Sequence, residues 1–314
     1  MPMSNVRLHK PVLILMFVIG LLSLGVPVLL AAQRSTLPSS RVVFSWNRDG
    51  DFDLFLLDGD TLKVVAQLTD NRASDLSPTW SPDGSQIAFS SNVSGNYEIY
   101  TIDIATGKSS VLTNNNWDDL YPAWSPDGSQ IAFTSNSDSN WDVYVMDIGG
   151  KGATRLTTSD VYEGNPVWSP DGSQIAFVSG REASRDILVM DANGSNVQPL
   201  TTLSTSADFS PAWSPAGDQI AFVSNRSGNP DIFVVDVGCI GDSDVCDANA
   251  VNLTADNEGA DSDPAWSNNA FHILFASVRN DTAELWKMNA DGSDVQQLTT
   301  GEGEERFPAI WVDG

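Results

Sequence analysis

Histidine is nearly absent from this 314-residue chain, which holds only His9 and His272. Two imidazoles so placed cannot furnish a histidine-based nucleophilic triad or a histidine-rich metal centre. A Gly-x-Ser-x-Gly nucleophile elbow is missing as well. His272 opens an apolar run and reads as a half-buried sheet residue. Cysteine is equally scarce, so a disulfide-dense scaffold is excluded and a hydrophobic core must hold the fold. Basic residues number 16 against 41 acidic ones, a formal charge of -25. Such a surface repels phosphate backbones, which excludes nucleic acid, and it suits cations or basic protein patches. On this inventory the chain is not an enzyme.

Acidic residues are missing from the first 48 positions. Arg7, His9 and Lys10 precede an uncharged run from Pro11 to Ala32, long enough to span a bilayer. Residues 1–32 are expected to be a signal peptide or an uncleaved transmembrane signal-anchor helix. Leu29 and Leu30 stand where cleavage wants a small residue, which favours the anchor. The basic flank then puts that end in the cytoplasm and the remainder outside, in the periplasm or at the cell surface. Residues 33–40 read as a tether.

What the chain has in abundance is repetition. Tryptophans closely preceded by proline fall at Trp80, Trp124, Trp168, Trp213, Trp266 and Trp311. Three of them begin the same string, Trp-Ser-Pro-Asp-Gly-Ser-Gln-Ile-Ala-Phe, and each unit closes on Leu-Thr. Every unit reads as four short strands, here called a to d: strand a ends at the tryptophan, and Ser-Pro-Asp-Gly makes the turn to strand b. Strands b (87–90 and its counterparts) and c (98–103 and its counterparts) are apolar or small on both faces, as in a sheet sandwiched between neighbours. Helical periodicity is absent, so the repeat is a propeller blade and not a solenoid helix pair. Residues 41–69 supply strands b, c and d alone, and 307–311 supply a lone strand a. Together they make a composite blade that closes a ring of six. A closed ring is expected to be monomeric.

The Pro-x-Trp-Ser-Pro-Asp-Gly, Ile-Ala-Phe, Asp-Ile-Tyr-Val-Met-Asp and Leu-Thr elements resemble the repeats of TolB-like propellers, also called WD40-like or PD40 repeats. The resemblance covers 41–314, and it is to the propeller of TolB, not to the α/β domain that precedes it there. It implies an all-β, six-bladed β-propeller that is commonly extracytoplasmic and engaged in protein contacts.

Candidate site residues come from two patterns. Three positions before each strand-a proline stands an acid: Asp75, Asp119, Glu163, Asp208, Asp261 and Glu305. Loops entering strand a converge on one channel mouth, so these carboxylates form either a ring that attracts a cation or basic peptide, or a set of loop caps. Aromatics share that face: Trp117, Tyr121, Tyr162, Phe209 and Phe307 before strand a, and Phe52, Tyr97 and Trp141 between strands b and c. Separately, Cys239 and Cys246 flank an insertion and are expected to form a disulfide; Asp242, Asp244 and Asp247 beside them could instead bind calcium. The function expected is a non-catalytic scaffold at the cell envelope that binds a protein or basic peptide. A glycan-binding propeller is the alternative, followed by an enzyme of unrecognised type.

Overall fold

Strand b is apolar on both faces because both faces are covered. In the computed structural model, which describes residues 39–181, 184–202, 206–279 and 281–313, the chain forms six four-stranded antiparallel sheets. Blade 1 is composite: strand a (Glu305–Val312) from the C-terminal end pairs with strand b (Ser40–Trp46), followed by strands c and d. Blades 2 to 6 each use four consecutive strands. Strand a of each blade touches strand a of the next, and blade 6 touches blade 1, so the ring closes.

The hydrophobic core is divided among six seams, one between each pair of neighbouring blades. Every strand b contributes one buried phenylalanine to them: Phe44, Phe89, Phe133, Phe177, Phe222 and Phe275. Each such side chain contributes about 1.5–3 kcal/mol by leaving water. The strand-a tryptophans also pack at the seams, and Trp80 donates its indole N–H across one of them to the carbonyl of Ala309 at 3.1 Å. That seam is tight. Gly84 turns at φ +65°, and a Cβ there would lie 2.6 Å from the ring of Trp311.

The Leu-Thr pair solves a specific problem. The outermost strand d must leave its sheet to reach strand a of the next blade, which would strip a hydrogen-bond partner from strand c. The leucine makes the last ladder bond, as in Leu156 N–H to Val143 C=O at 2.8 Å. The threonine hydroxyl then takes the place of a backbone carbonyl and accepts the neighbouring strand-c N–H. This bond recurs in all six blades at 2.8–3.0 Å, from Leu54, Ile99, Val143, Ile187, Ile232 and Leu285.

The insertion in blade 5 is not irregular. It forms a 3₁₀ turn (Val237–Cys239) and a short helix, α1 (Ser243–Asn249), a helix the all-β reading did not anticipate. Cys239 and Cys246 are joined in a disulfide. Cys246 is fully buried in the seam between blades 4 and 5, and the Gly241 N–H bonds Pro199 C=O at 3.2 Å, covering the outer edge of blade 4. The two ends of the propeller meet on the face of the Pro-Asp-Gly turns, where Asp313 N–H donates to Ser39 C=O at 2.7 Å and Asp313 pairs with Arg41. Among the described residues no helix is long and apolar enough to cross a membrane, and the expected anchor at 1–32 lies outside them.

Two measurements test this architecture. Removing residues 307–314 takes away an inner strand and opens two sheet edges. The truncated protein should aggregate or melt well below the intact chain; a monomer with unchanged melting temperature would contradict closure. Thr157→Val keeps side-chain shape but leaves the buried Val143 N–H unpaired, so urea unfolding should show a loss of about 1–3 kcal/mol.

Candidate functional site

Strand a lines the central channel, and each copy carries the same irregularity. Opposite strand b the register slips across the two residues at each x-Pro step, for example between Leu76 and Thr79. Proline has no N–H for the ladder, so the step is ejected as a bulge. The residue before proline takes a left-handed conformation in every blade: Ser77, Tyr121, Asn165, Ser210, Asp263 and Phe307 all have φ between +50° and +54°. Non-glycine residues rarely adopt it, yet the same geometry recurs in all six blades. Two of the freed N–H groups are taken by hydroxyls of the preceding blade, Tyr121 N–H by Ser90 Oγ at 3.1 Å and Asn165 N–H by Thr134 Oγ1 at 2.9 Å, and the Phe307 N–H bonds the Asp263 carboxyl group.

The bulges aim these six side chains into the channel. Beneath them the prolines form an apolar collar around a throat of about 230 Å³. Above, the channel widens into a funnel of about 910 Å³ on the face of the b–c and d–a loops. Phe52, Trp141, Tyr162, Phe209, Tyr121 and Phe307 line the funnel, six of the eight aromatics expected on that face. Tyr97 and Trp117 are not in its wall, and Trp117 is exposed. The rings are fixed by contacts with one another: Tyr121 meets Phe307 edge to face at 6.5 Å, and Arg185 stacks 4.4 Å over Tyr162. The Tyr162 hydroxyl donates to Asn165 Oδ1 at 2.6 Å. Burial raises the pKa of both Tyr121 and Tyr162, so both stay protonated at neutral pH.

The six acids three positions before each proline lie elsewhere. All are buried within their own blades, from 0% exposed at Asp75 to 6% at Glu163, and none lines the funnel or throat. Asp75, Asp119 and Asp261 accept from the amides of Asn71, Asn115 and Asn257 at 2.8–3.0 Å. Glu163 accepts from the Ser159 N–H, Asp208 pairs with Arg226 at 2.9 Å, and Glu305 takes the Thr299 hydroxyl. The first residue of strand c adds a second carboxylate beside the threonine at Asp53 and Asp142.

Desolvation is the largest influence on these groups. It pushes Glu305 up to about 7 and Asp53 and Asp186 up to about 6, and it raises Asp75, Asp119, Asp208 and Asp261 too. The three acids of the insertion do not converge. Asp242 caps α1, Asp244 is exposed, and Asp247 pairs with Arg226 at 3.1 Å. Among the described residues no cluster of three or more His, Cys, Asp or Glu could hold a metal ion.

With the ring of bulges in view, the comparison with known proteins is direct. The TolB β-propeller domain model (PD40) matches residues 35–121 and 98–311. The chain belongs to the TolB-like propeller family. A TolB homolog of Chlorobaculum tepidum is 42% identical over 79 residues, which is 25% of this chain and 18% of that one. A second, from Chlorobium luteolum, is 38% identical over 61 residues, 19% of this chain and 14% of that one. The matched stretches thus span less than a fifth of those relatives. The crystal structure of TolB from Acinetobacter baumannii superposes with TM-score 0.74 at 27% identity, covering 86% of this chain and 66% of that one. An oligogalacturonate lyase in complex with manganese shares only the fold, at TM-score 0.57 and 18% identity, over 82% of this chain and 73% of that one.

The funnel residues Asn165, Arg185, Asp263 and Arg306 escaped the sequence reading. For Asn165 and Asp263 the signal was variation: the residue before proline differs in nearly every repeat while its frame stays constant.

The buried carboxylates generate a pH prediction. Their folded-state pKa values lie above the unfolded values of about 4. Their stabilisation is therefore complete below pH ~4 and is lost as pH rises through about 6 to 7. Exposed turn acids such as Asp171, lowered to about 2 by the hydroxyls of Ser169 and Ser173, act in the opposite sense only in strong acid. The melting temperature should be higher at pH 5.5 than at pH 8 by ~3 °C or more, and Glu305→Gln should shrink the difference. A melting temperature that climbs toward pH 8 would contradict this account.

Proposed function

We propose that this chain is a non-catalytic, extracytoplasmic TolB-like propeller that holds a protein or peptide in its funnel. The observation that carries the reading is the set of six bulges, which turn six dissimilar side chains into one concave mouth. A wall of aromatic rings with Arg185 and Arg306 has the composition of a protein-binding hot spot. Glycan binding is the weaker reading because the rings do not form a flat platform: Tyr121 and Phe307 cross at 69°, and Trp141 and Tyr162 at 48°. The six blade acids enter as positioning residues, each fixing the start of the strand whose bulge lies two residues on. The Cys239–Cys246 disulfide fits an oxidising compartment, and an N-terminal anchor or signal at 1–32 would deliver the propeller there.

A photo-reactive phenylalanine analogue at position 209 in the funnel, or at position 64 on the outer edge of blade 1, tests the reading in whole cells. Cross-links to an envelope protein should form from position 209 and not from 64, and Tyr162→Ala should reduce them at least tenfold. Cross-links from the outer edge alone would overturn it.

A further inference from the structure

The funnel narrows onto one charged residue. Of the six bulge side chains ringing the throat, Asp263 alone carries a carboxyl group, and the collar below it is apolar. Blade order puts Asp263 three blades from Tyr121, directly across the throat, and next to Phe307. The serines at Ser77 and Ser210, on the third diagonal, leave the space between them open. A carboxyl group thus faces Tyr121 across the throat, with the ring of Phe307 packed edge to face against Tyr121.

Asp263 is only partly answered from within the protein. The Ser262 hydroxyl donates to its Oδ2 at 3.0 Å, and the Phe307 N–H also bonds it. Burial raises the pKa of Asp263, and Arg306 offsets this only in part because that guanidinium is turned to Glu304 at 3.4 Å and to Ser262; a cation brought into the throat would hold the carboxyl group ionised. Among the described residues no lysine or arginine nitrogen comes within the 4.0 Å of an ion pair with Asp263.

We infer that the throat is a subsite for one alkylammonium group, a lysine side chain or amino terminus of the bound peptide, seated between Asp263 and the rings of Tyr121 and Phe307. The inference rests on the peptide-binding reading above and specifies it. The rings supply cation–π attraction and cover the methylene stem. The carboxylate already accepts from Ser262 at Oδ2 and from the Phe307 N–H, so its two oxygens are not both free for a forked, two-oxygen contact. That matches a compact ammonium better than a guanidinium, whose planar fork seeks two oxygens.

The test uses the whole propeller and three fluorescein-labelled peptides, acetyl-Gly-Ser-Xaa-Ser-Gly amides with lysine, arginine or norleucine at Xaa. Fluorescence polarisation should give a Kd at least tenfold lower for lysine than for the other two. Asp263→Asn, which tolerates the left-handed backbone, should remove that preference without changing norleucine binding. Ser210→Tyr, which fills the throat and leaves Asp263 in place, should remove it as well. Equal affinities for lysine and norleucine, or a preference that survives either substitution, would overturn the subsite. If position 209 still cross-links a partner in that case, the funnel reading stands and the ammonium assignment alone fails; if it does not, both fail.

Discussion

Each blade depends on one hydroxyl. Where strand d leaves its sheet, a threonine accepts the strand-c N–H that would otherwise be buried without a partner, and its own proton goes to a buried carboxylate, as from Thr157 to Asp142. A backbone carbonyl could fill the acceptor role only if the chain stayed in the sheet, and then it could not cross to the next blade. The threonine therefore permits the crossover, the crossover permits the ring, and the ring brings six strands a together around a channel. The buried carboxylates are the cost of that arrangement, and it is lowest when they carry protons.

The blade separates two kinds of position. Residues that hold the frame, namely the acid, the tryptophan, the proline and the Leu-Thr pair, recur in nearly every unit because the same local problem recurs. The residue just before proline has no such duty. Its backbone is fixed by the bulge while its side chain faces the open channel, so Ser77, Tyr121, Asn165, Ser210, Asp263 and Phe307 are free to differ. Six identical frames thus display six independent choices, and an asymmetric surface arises from a nearly symmetric fold.

That separation explains what could be read from sequence. Blade number, strand boundaries and the composite closure follow from spacing and apolar pattern alone, since strands b and c are constrained on both faces. Six funnel aromatics were also legible, because loop parity assigns them to a face. The regularity of the acids Asp75 to Glu305 fits a mouth ring and a set of loop caps alike, because pattern does not register depth; in the structure each is buried and answered within its blade. Asp263 was hidden for the converse reason: a single acid before a single proline has no echo in the other repeats. The helix α1 was obscured by its shortness and by the two cysteines that staple it.

The meeting of Ser39 and Asp313, where the propeller begins and ends, has a practical and geometric corollary. Both ends leave from the turn face, so anything joined to either hangs like a stem beneath a bowl whose opening points the other way. A linker across that short gap would join the ends without touching the rim, and new termini could be opened at any outer turn. The propeller is therefore suited to circular permutation, and to attachment on a surface with its cup facing outward.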